Sequence, residues 1–182
     1  MSMNKFECVH VTNSQRSYAV DRTKITSLAT EISRRLGVSH YEICLRFVNP
    51  KTMRSLNLQY RDKDKSTDVL SFPQYTWKRP LKVKSQAPAT RPILNPMPLG
   101  DVVISTDDAA ANAKESGHDL AKEVCFLMIH GILHLVGHDH MKPLEKKRMF
   151  LEQRKLMRIF APTKARPAAW TDCVKIKRKS KS

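Results

Sequence analysis

Hydrophobic and polar positions alternate or recur along most of this chain, in patterns that predict interleaved strands and helices. Residues 5–11 (KFECVHV) and 42–48 (EICLRFV) alternate as strands do, and TDVLSF at 67–72 and LGDVVIS at 99–105 indicate two further strands. Between them, apolar side chains recur at the spacing of amphipathic helices. The order predicts an α+β fold, with α/β as the alternative, built on a single mixed β-sheet of about four strands with about five helices.

Polar caps, prolines and glycines set the predicted helix boundaries. The fourth predicted helix is apolar on several sides and is therefore expected to be deeply buried. Gly37 and Gly117 are expected to end the first and third helices, and Phe160 the last. The five helices are predicted to begin at these residues: Asp21, Asn49-Pro50, Thr106, His118-Asp119 and Pro143.

Two stretches depart from the regular pattern. Residues 74–98 contain five prolines and five basic side chains without one acid, which predicts a flexible insertion loop. The end of the chain, KIKRKSKS after Cys173, is a run of charge. We therefore predict one folded domain over residues 1–160 with a proline-rich basic insertion at 74–98, and a basic, disordered tail over residues 161–182.

Composition narrows the class of protein. The chain has 182 residues, 41% of them hydrophobic, which suffices for a core. A formal net charge of +16 favours a polyanionic partner, either nucleic acid or an anionic membrane surface, and nucleic acid is the stronger expectation. No apolar run reaches the ~20 residues of a membrane span, so no span is predicted, and the expected partner is nucleic acid and not a membrane.

The four cysteines are scattered and form no CxxC pair, which predicts reduced, buried thiols in a cytoplasmic protein. The N-terminus lacks the apolar core of a signal peptide, and nothing in it supports a matrix-targeting peptide.

Four histidines crowd into HGILHLVGHDH at residues 130–140. On a helix, His130 and His134 lie one turn apart on the same face, where two imidazole nitrogens can meet one ion. Gly137 can stop the helix with a positive φ angle and let the chain return with His140. HxxxHxxGxxH is the ligand skeleton of metzincin proteases, and three protein ligands leave the open position of a catalytic site. We predict that His130, His134 and His140 bind a metal.

Imidazole ligation favours one zinc ion, although nickel and copper accept the same ligands. His138 is the remaining histidine of the motif and is expected to be exposed or to support a ligand from outside the coordination sphere. His10, His40 and His118 are isolated in sequence and are expected to have ordinary surface or capping roles.

Gly131 stands where zinc proteases of the HExxH type carry the glutamate that acts as general base. Peptide hydrolysis suffers badly without that carboxylate, whereas RNA has its own 2′-hydroxyl beside each phosphate. A metal that polarises a phosphoryl oxygen or supplies hydroxide, together with a cation, could then suffice. With the net charge, this favours phosphodiester chemistry, and Asp139 or a distant carboxylate stays open as a base.

The histidine motif, together with NLQYRDKDKSTDVLSFP at 57–73 and LGDVVIS at 99–105, resembles the YbeY family of metal-dependent endoribonucleases over roughly residues 40–160. The resemblance implies an α+β fold with one zinc ion on His130, His134 and His140. It also implies cleavage of single-stranded RNA, with ribosomal RNA precursors and the small ribosomal subunit as partners, in maturation of the 3′ end of the small-subunit RNA and in ribosome quality control.

The functional arginine of the family falls on Arg61, whose guanidinium fork can bind a phosphate through two hydrogen bonds. From the residues alone, a cation that complements a helix C-terminus is the simpler interpretation of Arg61. Lys63 and Lys65 can either add phosphate contacts or lie in a solvated turn. Asp68 and Asp101 can either orient a histidine ring or cap the starts of strands.

The chain departs from the family pattern at three places. Ser66 replaces a proline, which is expected to loosen that turn, and both the 74–98 segment and the basic tail are longer than usual. Tyr75 and Trp77 lie beside Lys78 and Arg79, so they can either stack on bases or pack under the loop.

Three hypotheses follow, of which the first is favoured. It is a zinc-dependent endoribonuclease in which Arg61 positions or stabilises the scissile phosphate. A metal-dependent peptidase would need a carboxylate near the metal. A non-catalytic ribosome-assembly factor with a structural metal would need a fourth ligand, such as His138 or Asp139.

Overall fold

A computed structural model describes residues 8–81, 96–161 and 172–177 of the chain. The described residues form five helices and six strands, and the helices and four of the strands follow the interleaved order that the sequence pattern predicts. In chain order these are β1 Val9–Asn13, β2 Tyr18–Val20, α1 Arg22–Arg35, β3 Tyr41–Val48, α2 Pro50–Arg61, β4 Val69–Pro73, β5 Met97–Ser105, α3 Thr106–Glu115, α4 Leu120–Leu135, α5 Pro143–Phe160 and β6 Val174–Ile176.

Four strands form one mixed sheet in the order β1-β3-β5-β4. The β1–β3 and β3–β5 pairs are parallel, whereas β4 runs antiparallel to β5 at one edge. The central strands β3 and β5 are rich in buried aliphatic side chains, as strands covered on both faces usually are. The predicted α+β fold with a mixed sheet is confirmed.

The predicted helix boundaries follow from local capping. The Asp21 side chain accepts a hydrogen bond from the Lys24 amide, and Gly37 follows α1 with a φ of 70°. Asn49 caps α2 in the same way, with Pro50 in its first turn. These short-range interactions are why the helix starts could be predicted from sequence.

Helix α4 crosses the sheet and forms much of the core. Eleven of its sixteen residues are buried, which confirms that this apolar helix is an internal one. It packs against β4 and β5 on one side and against α3 and α5 on the other. The histidine motif begins on this helix, so its first two imidazoles stand on a rigid element of the core.

The predicted disordered tail requires correction at residues 172–177. Val174–Ile176 form strand β6, which pairs antiparallel with β2, and the Asp21 amide donates to the Cys173 carbonyl at 2.8 Å. The side chains of Cys173 and Val174 are buried, so their apolar burial outweighs the charge run that follows. The rest of the predicted tail, 162–171 and 178–182, lies outside the described residues.

The predicted insertion loop also ends earlier than expected, because β5 already begins at Met97. Residues 74–81 are described, whereas 82–95 lie outside the described part of the chain. None of the helices in the described ranges combines the length and apolar character needed to cross a bilayer.

Candidate metal centre

The three predicted ligands converge at the C-terminal end of α4. His130 and His134 lie on successive turns of the helix, with ring centroids 4.8 Å apart, and the ring of His140 is 5.6 Å and 5.0 Å from theirs. One ligand nitrogen from each ring lies within 4.8 Å of the other two. The first two side chains are half-buried and the third is exposed, so the centre faces solvent from one side.

The spacing of the two helix-borne ring nitrogens fits a shared metal ion. The Nε2 atoms of His130 and His134 are 3.2 Å apart. Two Zn–N bonds of 2.0–2.1 Å at a tetrahedral angle separate their nitrogens by about 3.3–3.4 Å. The donor set is also neutral and nitrogen-only, which zinc accepts readily.

Burial keeps the helix-borne imidazoles neutral. It lowers the pKa of His134 from 6.5 to about 4, and the neighbouring His130 and His140 rings act in the same direction. Burial also lowers the pKa of His130, although the hydrogen bond that His130 donates to Gln153 and the charge of Asp68 act in the opposite direction. Unprotonated imidazoles are the form that binds a metal, so these two side chains are prepared for ligation near neutral pH.

The turn after α4 brings His140 back toward the helix. Gly137 has a φ of 89°, its amide donates to the His134 carbonyl at 3.0 Å, and the His138 amide donates to Leu133 at 3.0 Å. These bonds satisfy carbonyls at the helix end, as in common glycine-terminated helices. The predicted helix stop at Gly137 therefore occurs, and it sets the path to the third imidazole.

Trp77 packs on this turn. Its Nε1 donates to the Leu135 carbonyl at 2.8 Å, and the Leu81 amide donates to the Val136 carbonyl at 3.0 Å. Tyr75 lies beside it, with ring centroids 5.3 Å apart. Of the two alternatives for these aromatic residues, the structure has packing: the first part of the insertion covers the end of α4.

Gln153 is a residue that sequence reasoning missed. It lies on α5, is 2% exposed, and its Oε1 accepts a hydrogen bond from Nδ1 of His130 at 3.2 Å. A signal existed in the sequence, because a polar side chain at this position interrupts the apolar stripe of the last helix. The other buried side chains of that stripe are Met149, Leu156 and Phe160.

The structure leaves no room for a side chain at residue 131, where HExxH proteins have a glutamate. A Cβ atom at this position would lie 2.4 Å from Cγ1 of Val102 and 3.2 Å from Oγ of Ser71. At residue 131, α4 therefore comes closest to the sheet, and a side chain there would point at β4 and β5 instead of at the imidazoles.

The other sequence candidates have structural partners. Asp68 accepts hydrogen bonds from the Val69 amide at 2.8 Å and from Asn112 at 3.0 Å, and it acts on His130 only through its charge. Asp101 is half-buried on β5. His138 is half-buried outside the group of mutually close ligand nitrogens.

The isolated histidines have the ordinary roles that were expected. His10 and His118 pair with Glu42 at 3.3 Å and Glu123 at 3.2 Å, and the ring of His40 packs on Tyr41.

Arg61 lies in the last turn of α2, with its side chain exposed, before a left-handed cap at Asp62 with a φ of 55°. This position complements the helix dipole and leaves the guanidinium accessible to a ligand. Lys63 and Lys65 are exposed in the following turn, and the Lys65 carbonyl accepts from the Asn57 side chain at 2.8 Å.

Ser66, which stands where the family pattern has proline and was expected to loosen this turn, has a hydrogen-bond partner on α3. Its hydroxyl donates to Oδ2 of Asp108 at 2.5 Å, which ties the loop to the first turn of α3.

Comparisons with known proteins find one family. The family model described as Endoribonuclease YbeY matches residues 10–161. A protein of that name from Myxococcus xanthus (strain DK1622) is 41% identical over 133 residues, 73% of this chain and 41% of its own length. Another, from Listeria monocytogenes serotype 4a (strain HCC23), is 38% identical over 125 residues, 64% of this chain and 71% of its own length.

A third relative of the same name, from Halalkalibacterium halodurans, is 34% identical over 145 residues, 79% of this chain and 88% of its own length. Among solved structures, the solution structure of TM1509 from Thermotoga maritima has a similar fold, with a TM-score of 0.55 and 22% identity. It covers 82% of this chain and 87% of that one. The chain thus spans less than half of the Myxococcus protein but most of the Halalkalibacterium one.

Proposed function

This chain belongs to the YbeY family of endoribonucleases, and on that premise we propose that it is a zinc-dependent endoribonuclease that cuts single-stranded ribosomal RNA precursors in the cytoplasm. Its substrate is presented by the small ribosomal subunit, where it acts in maturation of the 3′ end of the small-subunit RNA and in ribosome quality control. The observation that carries the proposal is the convergence of three imidazoles whose ligand nitrogens lie within 4.8 Å of one another.

His130, His134 and His140 would hold one zinc ion. An ion bound there supplies Lewis acidity, which stabilises the negative charge that develops on a phosphate during cleavage. The protein contributes the rigid placement of two ligands on α4 and of the third after the Gly137 turn. It also keeps the two helix-borne ligands unprotonated by burying them.

Arg61 would bind the scissile phosphate through its guanidinium fork. Its exposure and the absence of an ion-pair partner among the described residues leave its donors available to substrate. The net charge of +16 would also attract the RNA backbone to the protein. Helix α5 adds to this field with these exposed cations: Lys146, Lys147, Arg148, Arg154, Lys155 and Arg158.

Two alternatives are less well supported. A peptidase of the HExxH type requires a general base next to the first ligand, and Gly131 faces the sheet at that position. An assembly factor with a structural metal requires a fourth protein ligand, whereas the donors that approach one another in the described residues are the three histidines.

The decisive experiment measures zinc content and RNA cleavage together. Wild-type protein is expected to bind one zinc ion per chain and to cut a single-stranded RNA in preference to the same RNA in a duplex. Removing the metal with a chelator should abolish cleavage, added zinc should restore it, and His134→Ala should lose both metal and cleavage. Full activity in the stripped protein, or cleavage of casein in place of RNA, contradicts the proposal.

A further inference from the structure

The side-chain amide of Gln153 is buried and only half satisfied. Its Oε1 accepts from His130, but its Nε2 has no hydrogen-bond partner in the described part of the chain. A buried donor without a partner is destabilising, so a polar residue at this position requires a reason other than packing. Neighbouring buried positions of α5 carry apolar side chains, Met149 and Leu156 among them.

The contact with His130 fixes which ring nitrogen carries the proton. A carbonyl oxygen can only accept, so Nδ1 of His130 must be the protonated nitrogen of the neutral ring. The other nitrogen, Nε2, then presents its lone pair, and it is this atom that lies 3.2 Å from Nε2 of His134. The amide therefore selects the tautomer in which both Nε2 atoms can bind one ion.

The reversed amide would have the opposite effect. With Nε2 of Gln153 facing the ring, the amide would donate to Nδ1, and the proton of His130 would move to the nitrogen that faces His134. That arrangement would block ligation. The observed orientation leaves the amide donor unpaired but keeps the ring ready for a metal.

We propose that Gln153 is a positioning residue of the metal centre, which acts through His130 by holding its ring and tautomer for ligation through Nε2. The inference rests on the metal site of the proposed function, and it assigns to α5 a role in zinc affinity. The charged face of the helix is oriented to solvent, and its buried face supports the centre.

Three variants separate this role from packing. Gln153→Leu keeps the size and burial but removes the acceptor. Gln153→Glu keeps an acceptor for the Nδ1 proton. Met149→Ala is the matched control, because Met149 is fully buried one turn earlier on the same helix and is not one of the three candidate ligands.

Zinc affinity is measured without RNA, by competition with a chelator. We expect Gln153→Leu to weaken zinc binding by about 10–100-fold, the usual range for loss of such a supporting hydrogen bond. Gln153→Glu should retain wild-type affinity or exceed it, and Met149→Ala should lower the melting temperature with little change in affinity. An affinity for Gln153→Leu equal to that of the wild type overturns the inference.

A second readout uses the wild-type protein and does not depend on any variant folding. Nitrogen-15 NMR of the metal-free protein should find His130 in the Nδ1–H tautomer, whereas the Nε2–H tautomer overturns the inference. The two proposals fail in different ways. If the wild-type protein cuts no RNA but Gln153→Leu weakens zinc binding, this inference holds and the proposed endoribonuclease activity fails. If His134→Ala binds zinc as tightly as the wild type, the three histidines are not the metal site, and both proposals fail.

Discussion

Gly131 lies in direct contact with Val102, so close that a Cβ atom on the glycine would be 2.4 Å from Cγ1 of the valine. The first of the three candidate ligands, His130, is the preceding residue. The position that carries the catalytic glutamate in HExxH proteins is therefore used here to bring α4 close to β5. A general base, if the reaction needs one, must therefore come from a residue other than the one next to His130.

Gly131→Ala is expected to destabilise the protein by up to about 2 kcal/mol. Overpacking a tight core costs about 1–3 kcal/mol, and the better helix propensity of alanine offsets about 1 kcal/mol of it. Urea unfolding of Gly131→Ala, Val102→Ala and the double variant measures the effect. In the double variant the loss should be smaller than the sum of the two single losses, because Val102→Ala removes the overlapping methyl groups. Strict additivity would contradict the packing argument.

Gly137→Ala should weaken both stability and zinc binding, because the turn has a φ of 89° and Cβ would lie 2.7 Å from Cβ of Trp77. The backbone alone costs about 1–2 kcal/mol in the left-handed region. Gly117→Ala is the matched control, since Gly117 has a φ of 65° and open space around its Cβ position. Chelator competition should find normal zinc affinity in the control. Equal behaviour of the two variants would show that Trp77 does not support the turn.

The metal-free protein should lose stability as the pH falls from about 6.5 to about 4. The folded-state pKa of His134 is lowered from 6.5 to about 4 by burial, and that of His130 is lowered as well. In this window the unfolded chain binds protons that the folded chain excludes, so the free energy of unfolding decreases with decreasing pH. The contribution is complete above about pH 6.5.

Denaturant titrations across this window measure that dependence. His134→Gln should flatten it, because it removes the buried imidazole whose pKa burial lowers. A pH dependence of the same steepness in wild type and His134→Gln would contradict the assignment.

Arg61→Ala is expected to reduce RNA cleavage by about 10²–10³-fold while zinc content and folding stay normal. This is the usual effect of removing one donor that stabilises charge in a transition state. Arg61→Lys should recover little of it, because lysine keeps the charge but lacks the two-pronged geometry. Lys51→Ala, an exposed cation on the first turn of the same helix, is the control for a general loss of positive charge. If Arg61→Ala and Lys51→Ala lose similar amounts of RNA cleavage, Arg61 contributes only general positive charge and does not bind the scissile phosphate.

The sequence predicted those parts of the fold that short-range interactions decide. Caps at Asp21 and Asn49, the stop at Gly137 and the apolar character of α4 are local properties, and the helices begin and end where these residues predict. Strands β2 and β6 were missed because each has only three residues, too few for a period to emerge, and because they stabilise each other across most of the chain length.

In the candidate site, too, local sequence decided some features and tertiary packing decided the others. The amino-acid sequence by itself determined the three candidate ligands, because a four-residue helical spacing and a glycine turn place His130, His134 and His140 near one another through local geometry. Only the tertiary structure decided what surrounds them: Gln153 on the first ring, Trp77 on the turn and Val102 against Gly131. These contacts join residues far apart in the chain, and packing of helices on the sheet is what brings them together.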